Sequence, residues 1–320
     1  MSAIKFRVLP RSHEQVNKDK QRRELNKALV ITAFTLPGMI IFFLFVLMPV
    51  AQSGYFSLYD WNGFGSPTDY IQFDNYTRLL SHSVFHTALT NSFNLMVLSL
   101  LIQLPLALTL ALLVGRGKLH GKRVFRTILF VPYVFSEVIT AIIWRAVLSP
   151  DGGALLNAVL GTFIPGFSPV GWLADRHTVI YVLFAVLTWK YFGFYMILYM
   201  AGLQGIPVDL EDAARVDGAT EWNVLRHITL PLLGSTIRLT IFLSVLGSFQ
   251  QFVLAWVLTN EGGPVNAGQL IATYLYKFGI QQLKLGYGSA VAVVFFIITL
   301  VFSLGYQRMV MRRDYAADQI

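Results

Sequence analysis

The 320-residue chain is 55% hydrophobic and only 13% charged, and its mean hydropathy of +0.58 exceeds that of ordinary soluble domains. It contains no cysteine, which excludes a disulfide framework and a thiolate-bound metal. The net charge of +8 does not by itself indicate nucleic-acid binding, because lysines and arginines between apolar segments are typical of the cytoplasmic side of membrane proteins.

Long apolar segments recur along the chain. Each is long enough to cross a bilayer, which takes about 20 residues of helix. Lipid offers no partner to backbone N–H and C=O groups, so such segments are predicted to be helical. The sequence therefore predicts an all-α polytopic membrane protein with six spans, at residues 28–51, 88–115, 125–148, 177–203, 236–258 and 287–310.

Basic residues indicate how the spans are oriented. They concentrate in the N-terminal tail (1–27), in the loops after the second and fourth spans, and around the C-terminal tail (311–320). The opposite loops hold only Arg78, Arg176, Lys277 and Lys284. Because cytoplasmic loops carry the excess of Lys and Arg, both termini are predicted to be cytoplasmic, with a membrane domain at 28–310. The first span exceeds the length of a signal-peptide core, so we interpret it as an uncleaved anchor.

Motifs for covalent chemistry are missing from the sequence. The nearest match to a phosphate-binding P-loop, at 115–122, has five residues between its glycines and no hydroxyl after Lys122, so no ATPase is predicted. His82 and His86 are four residues apart and could share a helix face, but no further ligand is spaced to complete a metal site. The sequence predicts neither an enzyme nor a bound metal or cofactor.

Three ionisable residues fall inside the predicted spans: Glu137, Arg145 and Lys190. Such residues are costly in hydrocarbon and usually face the bundle interior or a polar cavity. They could form a proton or ion pathway, as in a secondary carrier. They could instead be structural pairs or side chains that reach the interface, which fits Arg145 near the outer end of the third span.

The loop at 205–233 is the most informative part of the chain. Pro207 suits a helix start, and the acids that follow it complement a helix dipole. Gly218 is expected to end this helix in a left-handed conformation, and Thr220 to cap a second one. The pattern predicts a short helix-turn-helix on the cytoplasmic side. It is compatible with an ordinary connector and with a docking surface for a partner.

This loop resembles the cytoplasmic loop of binding-protein-dependent ABC importer permeases, written E-A-A-x3-G-x9-I-x-L-P. The chain has Asp212-Ala213-Ala214, then Gly218, then Ile228-Thr229-Leu230-Pro231 at the same spacing, with Asp212 in place of the usual Glu. The resemblance implies that the loop is a coupling helix that docks into a groove on a separate ATPase subunit. The residues assigned to that contact are Glu211, Asp212, Ala213, Ala214, Asp217, Gly218, Ile228 and Pro231.

Other stretches are similar to carbohydrate-uptake permeases, and in particular to the first of the two permeases in maltose-type systems. They are Phe73-Asp74-Asn75-Tyr76 with Leu79-Leu80, Val131-Pro132-Tyr133, Trp144-Arg145, Gly153, Asn157, the run 258–264 and Tyr274-Leu275-Tyr276. The resemblance implies a six-span bundle in a bacterial or archaeal cytoplasmic membrane. It also implies three kinds of partner: a second permease in a heterodimer, a pair of cytoplasmic ATPases and an extracytoplasmic solute-binding protein.

The fifth predicted span carries the candidate solute-binding residues. Amides can bind sugar hydroxyls and aromatic rings can stack on sugar C–H faces, which favours Ser248, Phe249, Gln250, Gln251 and Trp256. The glutamines could equally make hydrogen bonds between helices. Two other functions remain open: an importer permease for a glycerol phosphate or polyol, and a stand-alone ion-coupled carrier.

Overall fold

The computed structural model describes residues 13–115, 121–150 and 154–311. Within these ranges the chain is helical apart from turns, loops and one isolated antiparallel bridge between Tyr59 and Tyr70, which confirms the all-α prediction. Several residues used in the sequence argument lie outside the described residues: Lys5, Arg7, Arg11, Arg116, Lys118, His120, Gly153, Arg312 and Arg313.

The helices are labelled in chain order. The first helix, α1 (His13–Phe42), continues through a π-helical turn at Phe43–Leu47 into the helix Met48–Phe56. The described residues up to Tyr55 form a compact unit of their own. The second unit begins at Phe56 and contains all the other helices. The labels are α1 (His13–Phe42), α2 (Asp74–Ser81), α3 (Ser83–Gly115), α4 (Lys122–Val134), α5 (Glu137–Val147), α6 (Leu155–Phe163), α7 (Val179–Gln204), α8 (Val208–Val216), α9 (Glu221–Leu232), α10 (Gly234–Gln250), α11 (Val253–Leu258), α12 (Ile271–Tyr274) and α13 (Leu285–Tyr306).

Four stretches of the described chain are single helices long and apolar enough to cross a membrane. They are Arg22–Phe56, Ser83–Gly115, Val179–Gln204 and Leu285–Val310. Two further stretches pass the same test only as bent pairs, α4 with α5 at 97° and α9 with α10 at 66°. The count reaches six if each bent pair is one span, so the number six stays a prediction.

The third predicted span is broken rather than continuous. Phe135 and Ser136 adopt extended backbone angles between α4 and α5, and the Ser136 hydroxyl accepts a hydrogen bond from the Ile139 backbone nitrogen at 3.2 Å. Serine in this conformation caps a new helix and so sets a new helix direction. Pro132 lies inside α4 two residues before its end.

The fifth predicted span, 236–258, is also interrupted. Helix α10 ends at Gln250, Gln251 is extended, and α11 begins at Val253. The solute-binding residues predicted on one helix therefore lie on two helices and on the bend between them.

Helix α7 is central to the second unit. It packs against α3, α4 and α10, and its buried residues contribute to two of the apolar clusters of the core. Gly193 lets α4 approach closely, because a Cβ at this position would lie 2.2 Å from the backbone oxygen of Leu129. This contact places the end of α4, and hence the α4–α5 bend, against α7.

Buried amides organise the loops on the side of the predicted outer face. Asn75 donates to the backbone oxygens of Ser57 and Tyr59, at 2.9 and 3.0 Å. Asn157 on α6 likewise donates to the backbone oxygens of Ser149 and Val170. Both asparagines belong to stretches that carried the family resemblance, and the structure gives them a structural role.

Candidate functional site

A polar cavity of about 330 Å³ lies between the middle of α3, the α4–α5 bend, α7 and the end of α10. A cavity of this size is in the range of small-molecule sites. Its lining combines hydroxyls, amides and one carboxylate with apolar and aromatic surface. The polar lining residues are Ser99, Gln103, Tyr133, Glu137, Tyr191, Tyr195, Ser244, Ser248, Gln250 and Gln251.

A hydrogen-bonded group of side chains fixes one wall of the cavity. The Ser99 hydroxyl donates to Gln103 Oε1 and lies 2.7 Å from the hydroxyl of Ser244 on α10. Gln103 in turn donates through Nε2 to the backbone oxygen of Leu187. Ser99 and Gln103 occupy a π-helical turn of α3. This wall therefore ties three helices together through buried polar contacts.

Glu137, the first residue of α5, also lines the cavity. Its Oε1 accepts a hydrogen bond from the Tyr191 hydroxyl at 2.5 Å, and its Oε2 accepts one from the Leu254 backbone nitrogen at 3.2 Å. The first turn of a helix leaves backbone N–H groups without intrahelical partners, and Glu137 supplies one such partner for α11. The carboxylate thus joins α5, α7 and α11 beside the cavity.

The other two ionisable residues of the predicted spans do not line the cavity. Lys190 is only 3% exposed, and its ammonium donates to the backbone oxygens of Phe135 and Tyr133, where α4 ends. Arg145 reaches the backbone oxygen of Val257 at 3.4 Å. These contacts favour structural roles over an ion pathway for Lys190 and Arg145.

The structure divides the five predicted solute-binding residues. Ser248, Gln250 and Gln251 line the cavity. Phe249 is 2% exposed and packs in an apolar cluster, with its ring 5.2 Å from that of Phe93. Trp256 lies on α11, outside the lining, where it contacts Phe252 and Tyr276. Consecutive helical residues point in different directions, which is why the predicted run cannot all face one cavity.

Most of the polar lining was not predicted from the sequence. The signal that could have found it is the four-residue spacing of polar side chains within apolar segments, which places them on one helix face. Ser99 with Gln103, and Ser244 with Ser248, have this spacing. Glu137 was identified as an ionisable residue in a span, but the bend that brings it to the cavity was not predicted.

The coupling-loop candidates lie on α8 and α9, joined by a tight turn. Gly218 has φ +86°, and its backbone nitrogen donates to the Arg215 oxygen while the Ala219 nitrogen donates to the Ala214 oxygen. This pair of bonds is a Schellman motif, and the positive φ confirms the left-handed helix end predicted for Gly218. The Thr220 hydroxyl accepts from the Asn223 backbone nitrogen at 3.3 Å, which confirms the predicted cap of the second helix.

Arg215 holds the two short helices together. Its guanidinium pairs with Asp212 at 2.7 Å and with both carboxylate oxygens of Glu221, at 2.9 and 3.2 Å. These two partners raise the pKa of Arg215 above its usual value, Glu221 more than Asp212. Glu211 is only 4% exposed and accepts a hydrogen bond from Thr229 at 2.6 Å, so it faces α9 and not the surface.

The remaining coupling candidates present a mixed surface. Asp212, Ala213, Asp217, Gly218 and Pro231 are exposed, whereas Ala214 and Ile228 are half-buried. Exposed apolar side chains surround them, although the sequence argument did not assign these to the contact. They are Val208, Leu210, Val216, which is 88% exposed, and Trp222, which is 63% exposed. Several exposed apolar side chains on two adjoining short helices are a common feature of protein contact surfaces.

A metal site is not formed in the described part of the chain, where no group of three His, Asp or Glu side chains converges. The two histidines with helical spacing have other contacts. His82 Nδ1 lies 2.7 Å from the Tyr274 hydroxyl, and His86 Nε2 lies 2.8 Å from the backbone oxygen of Leu80.

Comparison with known proteins places this arrangement in a family. Residues 103–314 match the family described as binding-protein-dependent transport system inner membrane component. The arabinooligosaccharides transport system permease protein AraP of Bacillus subtilis is 30% identical, over 85% of this chain and 85% of its own. The lactose transport system permease protein LacF of Rhizobium radiobacter is 30% identical, over 88% of this chain and 93% of its own.

A solved structure shares the fold over most of its length. It is a chain of a bacterial alginate ABC transporter in complex with alginate pentasaccharide-bound periplasmic protein, with a TM-score of 0.78 and 26% identity. The alignment covers 91% of this chain and 96% of that one.

Proposed function

The chain belongs to the binding-protein-dependent transport system inner membrane components, and on that premise we propose that it forms the membrane path of an ATP-driven importer for a sugar or sugar-like solute. The permease performs no covalent chemistry in this proposal. Its contribution is a cavity whose affinity for the solute differs between two conformations of the helices. The names of the relatives AraP and LacF support a saccharide as the solute.

The polar cavity is the observation that carries this proposal. Hydroxyls of Ser244 and Ser248, amides of Gln250 and Gln251, and the ring of Tyr191 surround a space beside the α4–α5 bend and the end of α10. Hydroxyl and amide groups exchange hydrogen bonds with sugar hydroxyls, and aromatic rings offer faces for sugar C–H groups.

The surface formed by α8 and α9 is proposed to dock on the ATPase subunit. Exposed Val216 and Trp222 provide apolar contact area, and Asp212 with Asp217 provides acidic groups beside it. Arg215 and the Gly218 turn fix the angle between the two helices. A movement of the ATPases would therefore reach the bundle through α9, which leads directly into α10 and its cavity residues.

The proposed assembly contains a second permease, two ATPases and an extracytoplasmic binding protein. The alginate transporter solved with a periplasmic protein supports the last of these partners. We propose that both termini are cytoplasmic, since this places the basic loops and the α8–α9 surface on the side of the ATPases. The loop at Thr259–Pro264 would then face the binding protein.

The alternative functions receive less support. An ion-coupled carrier needs an ion pathway, and the amine of Lys190 is engaged by two backbone carbonyls beside the α4–α5 bend. A permease for a polyol would bind its solute through the same hydroxyl and amide groups of the cavity. A permease for a glycerol phosphate would need a cationic group, which the described lining lacks.

The proposal is tested with the assembled importer in lipid nanodiscs. Solute-loaded binding protein is expected to stimulate ATP hydrolysis, and a panel of neutral mono- and oligosaccharides identifies the solute. Tagged permease that copurifies with no ATPase, and that transports solute in response to an ion gradient alone, would contradict the importer function.

A further inference from the structure

The loops on the face opposite the α8–α9 surface hold four basic residues, and only two of them have partners in the described chain. Arg176 donates to the imidazole of the next residue at 3.1 Å. Lys277 donates to two oxygen atoms of the loop that follows α11, each at 2.9 Å. Arg78 and Lys284 are exposed, and no described residue forms an ion pair or hydrogen bond with either side chain. These two cations are available to a ligand from outside the chain.

The two unpaired cations flank one cluster of side chains where α2, α3 and α13 meet. The Tyr274 hydroxyl lies 2.7 Å from His82 Nδ1 and 2.5 Å from the Tyr287 hydroxyl. Burial lowers the pKa of His82, and the nearby charge of Lys284 lowers it further. The charge of Arg78 acts on the Tyr287 hydroxyl. Because α2 also packs directly against α13, both cations belong to one surface.

This surface lies at the ends of two helices that are long and apolar enough to cross the membrane. Helix α3 begins at Ser83, shortly after Arg78, and α13 begins at Leu285, directly after Lys284. The far end of α3, at Gly115, lies beside α8. A membrane helix leaves the hydrocarbon at its ends, where the lipid headgroups lie. The two cations are therefore placed at the level of the headgroups.

Exposed apolar side chains adjoin the cations. Leu80 on α2 is 60% exposed, and Leu283, next to Lys284, is 54% exposed. Phe73, directly before α2, is 69% exposed. A phospholipid presents a phosphate above its acyl chains, so cations beside exposed apolar side chains match both of its parts. The apolar side chains at the start of two spans favour a lipid over a partner that approaches through water.

From this arrangement we infer that Arg78 and Lys284 form a binding site for the headgroup phosphate of an anionic phospholipid. The site lies apart from the solute cavity, so the inference goes beyond the proposed function. Phosphate binds guanidinium and ammonium groups through charge-assisted hydrogen bonds. Each cation near an anionic membrane surface strengthens binding by about fivefold, so the pair should favour anionic over zwitterionic lipid by roughly tenfold to thirtyfold.

The natural absence of cysteine allows a local test of this lipid preference. Ser81→Cys is labelled with bimane in the assembled importer, since Ser81 is exposed and its hydroxyl donates to the Arg78 backbone oxygen at 3.1 Å. Nanodiscs of phosphatidylcholine contain a small fraction of lipid with a nitroxide near the headgroup, either phosphatidylglycerol or phosphatidylcholine. Quenching of the bimane shows which lipid lies beside α2.

Labelled phosphatidylglycerol should quench the bimane several-fold more strongly than labelled phosphatidylcholine at the same mole fraction. Arg78→Gln combined with Lys284→Gln should make the two lipids equal, whereas Arg176→Gln, at a cation that already has a partner, should preserve the difference. Equal quenching by the two lipids with both cations in place, or quenching by neither, would overturn the inference. That comparison uses the natural Arg78 and Lys284, so it decides the matter even if the double variant does not assemble.

A second measurement tests the acidic surface of a binding protein as the other partner. The reaction of unlabelled Ser81→Cys with a water-soluble maleimide is measured with and without solute-loaded binding protein. An unchanged rate supports the lipid site. Protection by the binding protein that is lost in the Arg78→Gln and Lys284→Gln double variant would assign the two cations to a protein contact and overturn the inference.

Discussion

Glu137 accepts a hydrogen bond from the backbone nitrogen of Leu254, 117 residues later in the chain. The contact joins the first residue of α5 to the first turn of α11, so the two helices that follow the bends begin at the same carboxylate. On the other side of the first bend, Lys190 donates to the carbonyls at the end of α4. The C-terminal end of α4 and the N-terminal end of α11 are thus each satisfied by a charged side chain from another element beside the cavity.

Removing the amine of Lys190 should destabilise the α4–α5 bend. Lys190→Met keeps the length of the side chain but leaves the Phe135 carbonyl without its donor, which costs about 1–3 kcal/mol. The expected result is a lower melting temperature of the purified permease complex. Lys27→Met, at an exposed position, is the control and should melt like the natural protein. Equal melting temperatures for both variants would contradict the capping role.

The helical architecture and the two short helices around Gly218 could be predicted from the sequence because both depend on local patterns. The lengths of apolar segments, the spacing around Gly218 and the cap at Thr220 are properties of short stretches of chain. The cavity depends instead on how distant segments meet. Nothing near Glu137 in the sequence indicates that it will lie beside Leu254, and the extended residues Ser136 and Gln251 follow from tertiary contacts within otherwise helical patterns.

Phe249 and Gln251 should respond to substitution in opposite ways. Phe249→Ala removes a buried aromatic ring and should cost about 3–5 kcal/mol of stability, lowering the amount of assembled permease with little effect on solute preference. Gln251→Ala should assemble normally and reduce uptake about two- to tenfold, the loss expected for one hydrogen bond. Uptake kinetics and the level of assembled complex distinguish the two variants. A Gln251→Ala variant with the kinetics of the natural protein would show that Gln251 does not bind the solute.

Arg215 is expected to be a positioning residue for coupling. Arg215→Ala removes the ion pairs with Asp212 and Glu221, so these contacts no longer fix the angle between α8 and α9. Hydrolysis stimulated by solute-loaded binding protein should fall, while the melting temperature of the bundle stays unchanged. Arg215→Lys should restore only part of the stimulation, because an ammonium cannot form the forked pair. Arg226→Ala, at another exposed arginine of the loop, should leave coupling unchanged; equal losses in both arginine variants would contradict the positioning role.

The orientation of the chain is testable with single cysteines in the naturally cysteine-free protein. Val265→Cys should react with a membrane-impermeant maleimide in right-side-out vesicles, since the proposed topology places this loop outside. Val216→Cys, at a residue of similar exposure on α8, should react only after permeabilisation, in cells that lack the ATPase. Reaction of Val216→Cys in intact vesicles would show that the topology is the reverse of the proposed one. The α8–α9 surface would then not lie on the side of the ATPase.

Gly218 provides the sharpest test of the coupling loop. Its φ of +86° suits glycine, and no atom lies within 4 Å of the position a Cβ would take, so a side chain is opposed by the backbone conformation alone and not by a clash. Gly218→Val should cost about 1–2 kcal/mol in this conformation and shift the turn to another geometry. Asparagine tolerates the left-handed region, so Gly218→Asn should keep the Schellman turn. Both variants are expected to insert in the membrane at normal levels.

The readout is copurification of the ATPase with tagged permease, followed by hydrolysis with solute-loaded binding protein. Gly218→Val should lose the ATPase, or retain it without stimulated hydrolysis, whereas Gly218→Asn should retain most of both. Because the two side chains enter the same open space, a difference between them isolates the backbone angle from the volume of the side chain. If Gly218→Val instead supports full hydrolysis and uptake, then α8 and α9 are only a connector, and the ATPase must engage another surface of this chain.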